Sequence, residues 1–503
     1  MRAKSSTYGC QPSTKALVHL GACIFAGVLL MTHLHCSGGT SEPDRTSGPS
    51  SPASATAATA IARENALAGS AEWSLDRPIT DQQIVAYPDR ESYAAGTDVR
   101  ISVSAEPAGL FHWKLFRMGG YRGSGARLYA EGGPLPAPRH PDAVFEQETG
   151  LVVTGWPTTF SISTRHPDQD PWLTGVYLLQ LTKEDGWQSY AVFILRDDTR
   201  AAEVAVQLPT ATWHAYNAFG GESCYTSARG LPGGQARKVS LLRPHTQGYG
   251  SATFLYLEHE GVRWLEEEGY DVEYFASTDV GGAVNRTGRH ALYISLSHDE
   301  YTTMAALDRL EAAVTAGTSL ALLTGNTMVW QVRFEDDERT MACYKEYAEE
   351  DPMHLMNPRL VSGRFRDPPI NRAENQLTGV LSDGSHNEVP ADWVVTNSAH
   401  WVYANTGLLD GSRLPGLIFN EWDSYVENGF NPPGITVLAS SVVPNNVRSG
   451  SRHEATVYER GGAFVFAAGS IVFGNHLRTQ PAVAQMTTNL IRRAGAMAYK
   501  VGR

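Results

Sequence analysis

The sequence predicts an α/β domain preceded by an all-β sandwich, and three observations carry that prediction. Between about residues 80 and 197, the short alternating segments "DVRISVSAEP", "LFHWKLFRM", "TTFSISTRH", "GVYLLQLTK" and "SYAVFILRDD" are separated by turns. No convincing helix interrupts them, which is the pattern of an antiparallel sandwich. After residue 200, strands alternate with amphipathic helices, the pattern of a parallel sheet with helices on its faces. Thirdly, apolar strands in that part end abruptly in polar clusters, most clearly in "ALYISLSHDEYTTM" at 291–304.

Taken in chain order, the elements divide as follows. Arg2, Lys4 and Lys15 precede the apolar run "ALVHLGACIFAGVLLM", and Cys36 follows in "THLHCSGGT"; residues 1–36 read as an export segment. Cys36 stands where a lipoprotein signal places its lipidated residue, although His35 and His33 depart from that pattern. An uncleaved anchor and an ordinary signal peptide are the alternatives, and all three put the folded part outside the cytoplasm, in the periplasm or at the cell surface. Residues 37–78, rich in Ser, Pro, Thr and Ala, read as a flexible linker. The sandwich is assigned to 79–198 and the α/β domain to 199–503.

The bulk numbers exclude some classes. With 42% hydrophobic and 19% charged residues, the 503-residue chain is globular and too long for one ordinary core. A net charge of −12 with no Lys/Arg-rich block argues against a nucleic-acid partner, because phosphate binding needs a basic face. Three cysteines, Cys36, Cys224 and Cys343, lie beyond the apolar run, too few for a disulfide scaffold. Cys224 and Cys343 are either one bridge or two separate buried thiols.

In the α/β part, "YLEHEGVRWLEEEGYDVEYFAS" reads as a helix stopped at Gly269 and followed by a strand. A strand at 291–297, a helix near 302–316 and the strand "SLALLTG" at 319–325 come next. "GAFVFAAGS" and "QPAVAQMTTNLIRRAGAMA" repeat the theme, and 330–450 reads as loop-rich insertions over the sheet's upper edge. Open α/β sheets bind ligands beyond the carboxyl ends of their strands, at a topological switch point. His298, Asp299 and Glu300 stand at one such end and Gly325–Asn326 at the next. Asp299 and Asn326 have a helix-capping reading as well; His298 and Glu300 are not favoured caps. Glu421, in "LPGLIFNEWDSY", closes another apolar run, and burial against Phe419 and Trp422 is expected to raise its pKa towards that of a general base. "MGGYRGSGARL" lacks the Lys-Ser/Thr ending of a phosphate loop and reads as a hairpin loop; "ESCY" lacks the glycines of a nucleophile elbow.

These motifs coincide with a known family. "FRMGGYRGSGARL", "LTGVYLLQL", "ATWHAYNAFGGESCY", "LEHEGVRWLEEEGYDVEYF", "LSHDEY", "LLTGN", "MACYK" and "FNEWD" occur in this order across roughly residues 80–480. The chain resembles the large (β) subunit of N,N-dimethylformamidase and its relatives. The resemblance implies a sandwich followed by a glutamine-amidotransferase-like α/β domain. It also implies a mononuclear, ferric iron held by two tyrosinates and one glutamate, and hydrolysis of the C–N bond of a small linear amide. Carried over motif by motif, the metal ligands are Tyr177, Tyr216 and Glu300. His298 is a nearby imidazole, or equally a further ligand. Asn326 is an amide that polarises the substrate, Lys345 a charge partner and Glu421 the general base. Oxygen-only ligands are hard donors that suit such an ion.

The family's enzyme is cytoplasmic and has a small partner subunit, whereas this chain carries an export signal, so the substrate is the least transferable part of the resemblance. The expected partner is a small-molecule amide, with membrane contact only through the N-terminal anchor. No motif encodes whether the chain forms a homo-oligomer or takes up a small subunit. The competing function is a surface-anchored, non-catalytic protein that holds glycan or peptide in aromatic clefts.

Overall fold

The alternating residues of the strand Gly175–Lys183 show how the first part of the chain is built. In a computed structural model that describes residues 59–168, 170–281, 287–444 and 450–500, this strand lies at the centre of a five-stranded sheet. The order is Ser92–Ala94, Gln188–Arg196, Gly175–Lys183, Gly109–Met118, Ala126–Ala137. The pairings are antiparallel except at the short edge strand Ser92–Ala94, which runs parallel to Gln188–Arg196. A second, antiparallel sheet consists of Val85–Pro88, Asp98–Ser104 and Phe160–Ser163. Val99, Ile101 and Val103 from the small sheet share one buried cluster with Leu179, Leu181, Phe193 and Leu195 from the large one. Alternation along each strand thus places one face of both sheets in a common core.

The export segment 1–36, with Cys36, and linker residues 37–58 lie outside the described residues. From Thr59 onward the segment expected to be a linker is docked. Ala60–Asn65 is a helix whose N-cap Thr59 accepts from the Ala62 amide. Ile61 is fully buried, and the Asn65 side chain donates to Glu266 at 2.7 Å. Alanine-rich composition suits a helix as well as a tether, and Ile61 is the apolar residue that fixes it to the core.

The remaining chain is organised on a seven-stranded sheet. Its order is Val272–Phe275, Val204–Gln207, Leu292–Ser297, Ser319–Thr324, Ala463–Ala467, Arg452–Arg460, Thr436–Val442. The first five strands are parallel, and an antiparallel hairpin completes the sheet. That hairpin reaches back into the stretch expected to be insertions. Its first strand, Thr436–Val442, falls within that stretch, where serines and prolines surround the apolar residues. A separate hairpin, His386–Val394 with Arg413–Glu421, carries Glu421 to the sheet's upper edge. After Val204–Gln207 the chain adds a strand on one side and then crosses to the other with Leu292–Ser297. The switch point therefore lies between the ends of these two strands, where ligands bind in such sheets. Among the described residues no helix is long and apolar enough to cross a membrane.

Candidate active site

Two strand ends and three loops converge at the switch point. Val204–Gln207 feeds the helix Thr210–Tyr216, which ends in Tyr216. Leu292–Ser297 is followed directly by His298, Asp299 and Glu300. The two ends are bound to each other: Gln207 donates to both Asp299 carboxylate oxygens at 3.0 Å, and the Glu300 amide donates to Thr212 Oγ1 at 3.1 Å. Asp299 also accepts from Ser295 at 2.7 Å. It points back into the sheet and locks the turn, while the helix that follows is capped by Thr303.

The segments that meet here are strained at several points. Ser297, Asn326, Lys345 and Asn420 have φ of 63°, 53°, 55° and 64°, in the left-handed region that costs a residue with a Cβ about 1 kcal/mol or more. Each of these residues is a site residue or immediately precedes one. Gly325 solves a different problem: a Cβ there would lie 2.8–2.9 Å from backbone atoms of Ile471, Glu421 and Ser470. Only glycine lets the loop carrying Asn326 approach the strand end carrying Glu421. Thr327 secures that approach by donating its hydroxyl to Asp423 at 2.6 Å.

The resulting site has two halves. In the first, four donors meet the buried carboxylate of Glu300. Tyr216 donates to Oε2 at 3.0 Å, and Tyr225 lies 2.8 and 2.9 Å from the two oxygens. Trp330 Nε1 donates to Oε1 at 2.9 Å, and His298 Nε2 lies 3.4 Å from Oε2. The rings of Tyr216 and Tyr225 stack with centroids 4.3 Å apart, and Tyr301 donates to the Tyr225 oxygen at 2.6 Å. Burial, reinforced by the Glu300 charge, drives all three phenols well above their ordinary pKa. Burial also raises Glu300, against the pull of His298.

In the second half, His298 Nε2 lies 2.5 Å from Glu421 Oε2, which also accepts from the Asn326 amide at 2.9 Å. Burial alone would lower the His298 pKa, but Glu421 and Glu300 raise it to about 9. Burial likewise pushes Glu421 up, yet the adjacent His298 charge, its hydrogen bond and Asn326 hold it below the usual carboxylate range. The expectation that Phe419 and Trp422 would raise Glu421 is therefore corrected: a cationic imidazole in contact outweighs desolvation. His298, Glu300 and Glu421 present ligand atoms within 4.8 Å of one another.

Lys345 belongs to the first half. Its Nζ sits 3.2 Å from the Tyr225 ring centroid and donates to the Cys224 carbonyl at 3.4 Å. Burial lowers its pKa to about 8. The two cysteines left open by the sequence are joined as Cys224–Cys343.

Tyr177 is not at this site. It occupies the core between the two N-terminal sheets, stacked on Phe193 and Trp172, and its hydroxyl donates to the Leu173 carbonyl at 2.7 Å. Its neighbours of consequence are Tyr129, Arg117, Tyr121 and Glu64. An inward-facing aromatic in a central strand is a packing residue, and the alternation of "GVYLLQL" places Tyr177 inward with Leu179 and Leu181. The second tyrosine on Glu300 is Tyr225, which sequence reasoning missed. The available signal was its place at the end of "ATWHAYNAFGGESCY", in the same motif as Tyr216 and next to a cysteine.

Behind His298, the π-helical turn Phe254–Glu258 accepts Ser297 Oγ through the Leu257 carbonyl at 2.7 Å. Its last residue, Glu258, is fully buried, and burial raises its pKa from 4.5 to about 8. A raised folded pKa means that the folded chain holds a proton the unfolded chain has released. The contribution of Glu258 to stability is therefore fully present below pH 4.5 and is lost as pH rises through about 8. Glu258→Gln is expected to come close to the wild-type Tm at pH 4 and exceed it at pH 9, as scanning calorimetry at the two pH values will show.

Over 226 residues the chain is 28% identical to the N,N-dimethylformamidase beta subunit of Paracoccus aminophilus, covering 41% of this chain and 29% of that subunit. The chain thus matches less than a third of that protein's length. Residues 112–488 match the family described as N,N-dimethylformamidase beta subunit-like, C-terminal, a span that includes every site residue named above. The chain belongs to the N,N-dimethylformamidase beta subunit-like family.

Proposed function

We propose that the chain is a metal-dependent hydrolase of the C–N bond of a small linear amide. Iron is the metal and Tyr216, Tyr225 and Glu300 are its ligands. The observation that carries this reading is the convergence of two phenol oxygens on one carboxylate at 2.8–3.0 Å. Oxygens about 2 Å from a common ion and at right angles lie about 2.8 Å apart. All three donors are hard, and buried phenols of raised pKa lose their protons only to a strongly charged ion. The donor set fits ferric iron.

When bound, such an ion supplies a Lewis acid for the amide carbonyl. The chain's own residues handle the protons. Glu421 accepts a proton from water as the water oxygen adds to the carbonyl carbon. His298 and Asn326 both contact Oε2, which orients the carboxylate and leaves Oε1 to take the proton. Glu421 then returns that proton to the departing nitrogen as the C–N bond breaks, giving a carboxylic acid and an amine. Held below the ordinary range, Glu421 is ionised throughout the neutral range, the form a base requires. Glu421→Gln is expected to keep its iron and lose turnover of a formamide by about a thousand-fold, within the span assigned to a positioned base. Parallel metal analysis and amine-release assays check both halves of that statement.

Export is proposed as well: the Cys224–Cys343 bridge belongs to oxidising compartments. Cell fractionation tests it, and full-length protein confined to the cytoplasm would contradict it. The relative's name is that of a subunit, so a partner chain is proposed for this protein too. A native mass equal to one chain would count against it. On fold, we propose that the paired N-terminal sheets are a sandwich and the seven-stranded sheet an amidotransferase-like domain, which their order and shared cores support.

A further inference from the structure

The Cys224–Cys343 bridge joins two loops 119 residues apart in sequence, and each loop delivers one partner of a close pair. Cys224 immediately precedes Tyr225, and Cys343 lies two residues before Lys345. The Lys345 ammonium sits 3.2 Å from the Tyr225 ring centroid and 4.9 Å from that of Trp330. Both aromatic side chains donate to Glu300. Tyr225 has no regular element to hold it. It lies in a tight turn closed by the Ser223 amide donating to the Thr226 carbonyl at 2.9 Å. The Cys224 amide donates to Ala215 at 3.0 Å, next to Tyr216, and the Cys343 amide donates to Arg237 at 2.8 Å. The covalent link thus closes a ring of contacts that runs from Tyr216 through Cys224 and Cys343 to Lys345 and back onto Tyr225. Both cysteines are fully buried.

We propose that this bridge is the positioning device of the metal site: it holds Tyr225 and Lys345 against each other so that the Tyr225 oxygen stays on Glu300, and the site is complete only in the oxidised chain. Cys224, Cys343 and Lys345 are positioning residues here, acting through Tyr225. The inference rests on the ligand assignment above but concerns a different link, the route by which one ligand is placed. A consequence is that metal loading follows oxidation of the chain.

The test replaces all tyrosines with 3-fluorotyrosine and assigns the Tyr225 fluorine resonance by its absence in Tyr225→Phe. Wild type is compared with the paired variant Cys224→Ala/Cys343→Ala, with circular dichroism as the check on fold. The expected result is that the Tyr225 resonance moves or broadens in the variant while most others stay. Iron should also pass to a chelator at least ten times faster than from wild type. A folded variant with the wild-type Tyr225 resonance and wild-type iron release would overturn the proposal. Because the paired variant can lose its fold, the same resonance is followed in folded wild type during reduction by a water-soluble phosphine. The phosphine takes oxygen from water, and two electrons and two protons convert the bridge to two thiols. A Tyr225 resonance unmoved after thiol titration shows full reduction has the same overturning force. Wild type that takes up no iron would remove the ligand assignment, and the fluorine signal would still decide the positioning claim.

Discussion

Glu300→Ala is expected to abolish metal binding, with iron falling from about one per chain to background and amide hydrolysis falling by more than a thousand-fold. The argument is geometric. Glu300 is the group on which Tyr216, Tyr225 and Trp330 all converge. Its removal deletes one of the proposed ligands and leaves the two phenols without the acceptor that orients them. Each unsatisfied buried donor costs about 1–3 kcal/mol, so the tyrosines will seek other partners and the cradle will open. Folding should survive, because deleting a buried carboxylate also removes its desolvation penalty. Metal analysis of the purified variant, with its circular dichroism, checks both statements.

Glu266→Ala is expected to lower global stability by about 3–5 kcal/mol, the range for breaking one side of a buried ion pair. Arg117 and Glu266 are both 0% exposed and pair through two parallel hydrogen bonds of 2.7 and 2.8 Å. Glu266 also accepts from Asn65 at 2.7 Å and Tyr274 at 3.1 Å. The network ties the helix Ala60–Asn65, the strand Gly109–Met118 and the helix His259–Glu267 together. Removing the carboxylate strands a guanidinium in the core. The paired variant Arg117→Met/Glu266→Leu should recover most of the loss, because well-packed apolar residues replace such pairs at little penalty. Urea titration of the two variants measures the difference.

These two sites were unequally legible. Leu292–Ser297 and Ser319–Thr324 are fully buried, mostly apolar runs closed by polar residues, so both the strands and the cluster His298–Glu300 could be read directly. Val204–Gln207 is only four residues long, and periodicity cannot mark so short a strand. The strands of the hairpin Thr436–Val442 and Arg452–Arg460 mix serines and charges with apolar residues because each is partly exposed, so the first reads as part of the loop-rich insertions and the second carries no strand signal. Within the site, Glu421 could be picked out but not its pKa, which is set by His298, 123 positions away in sequence and 2.5 Å away in space. Tyr177 and Tyr225 show the same limit from the other side. A tyrosine's motif says that it matters; only the register of its strand or the course of its loop says whether its oxygen reaches a carboxylate. The Arg117–Glu266 pair had no sequence signature at all, since its members lie 149 positions apart.

The central claim is that one ion is shared by Tyr216, Tyr225 and Glu300, and not by Tyr177. Visible absorption of the iron-loaded protein tests it most directly, because a phenolate bound to ferric iron gives a charge-transfer band. Wild type should carry about one iron per chain and show the band. Tyr225→Phe should lose or markedly weaken both, and Tyr177→Phe should keep both. A band that survives in Tyr225→Phe and disappears in Tyr177→Phe would contradict the account, as would a folded wild-type protein that takes up no iron.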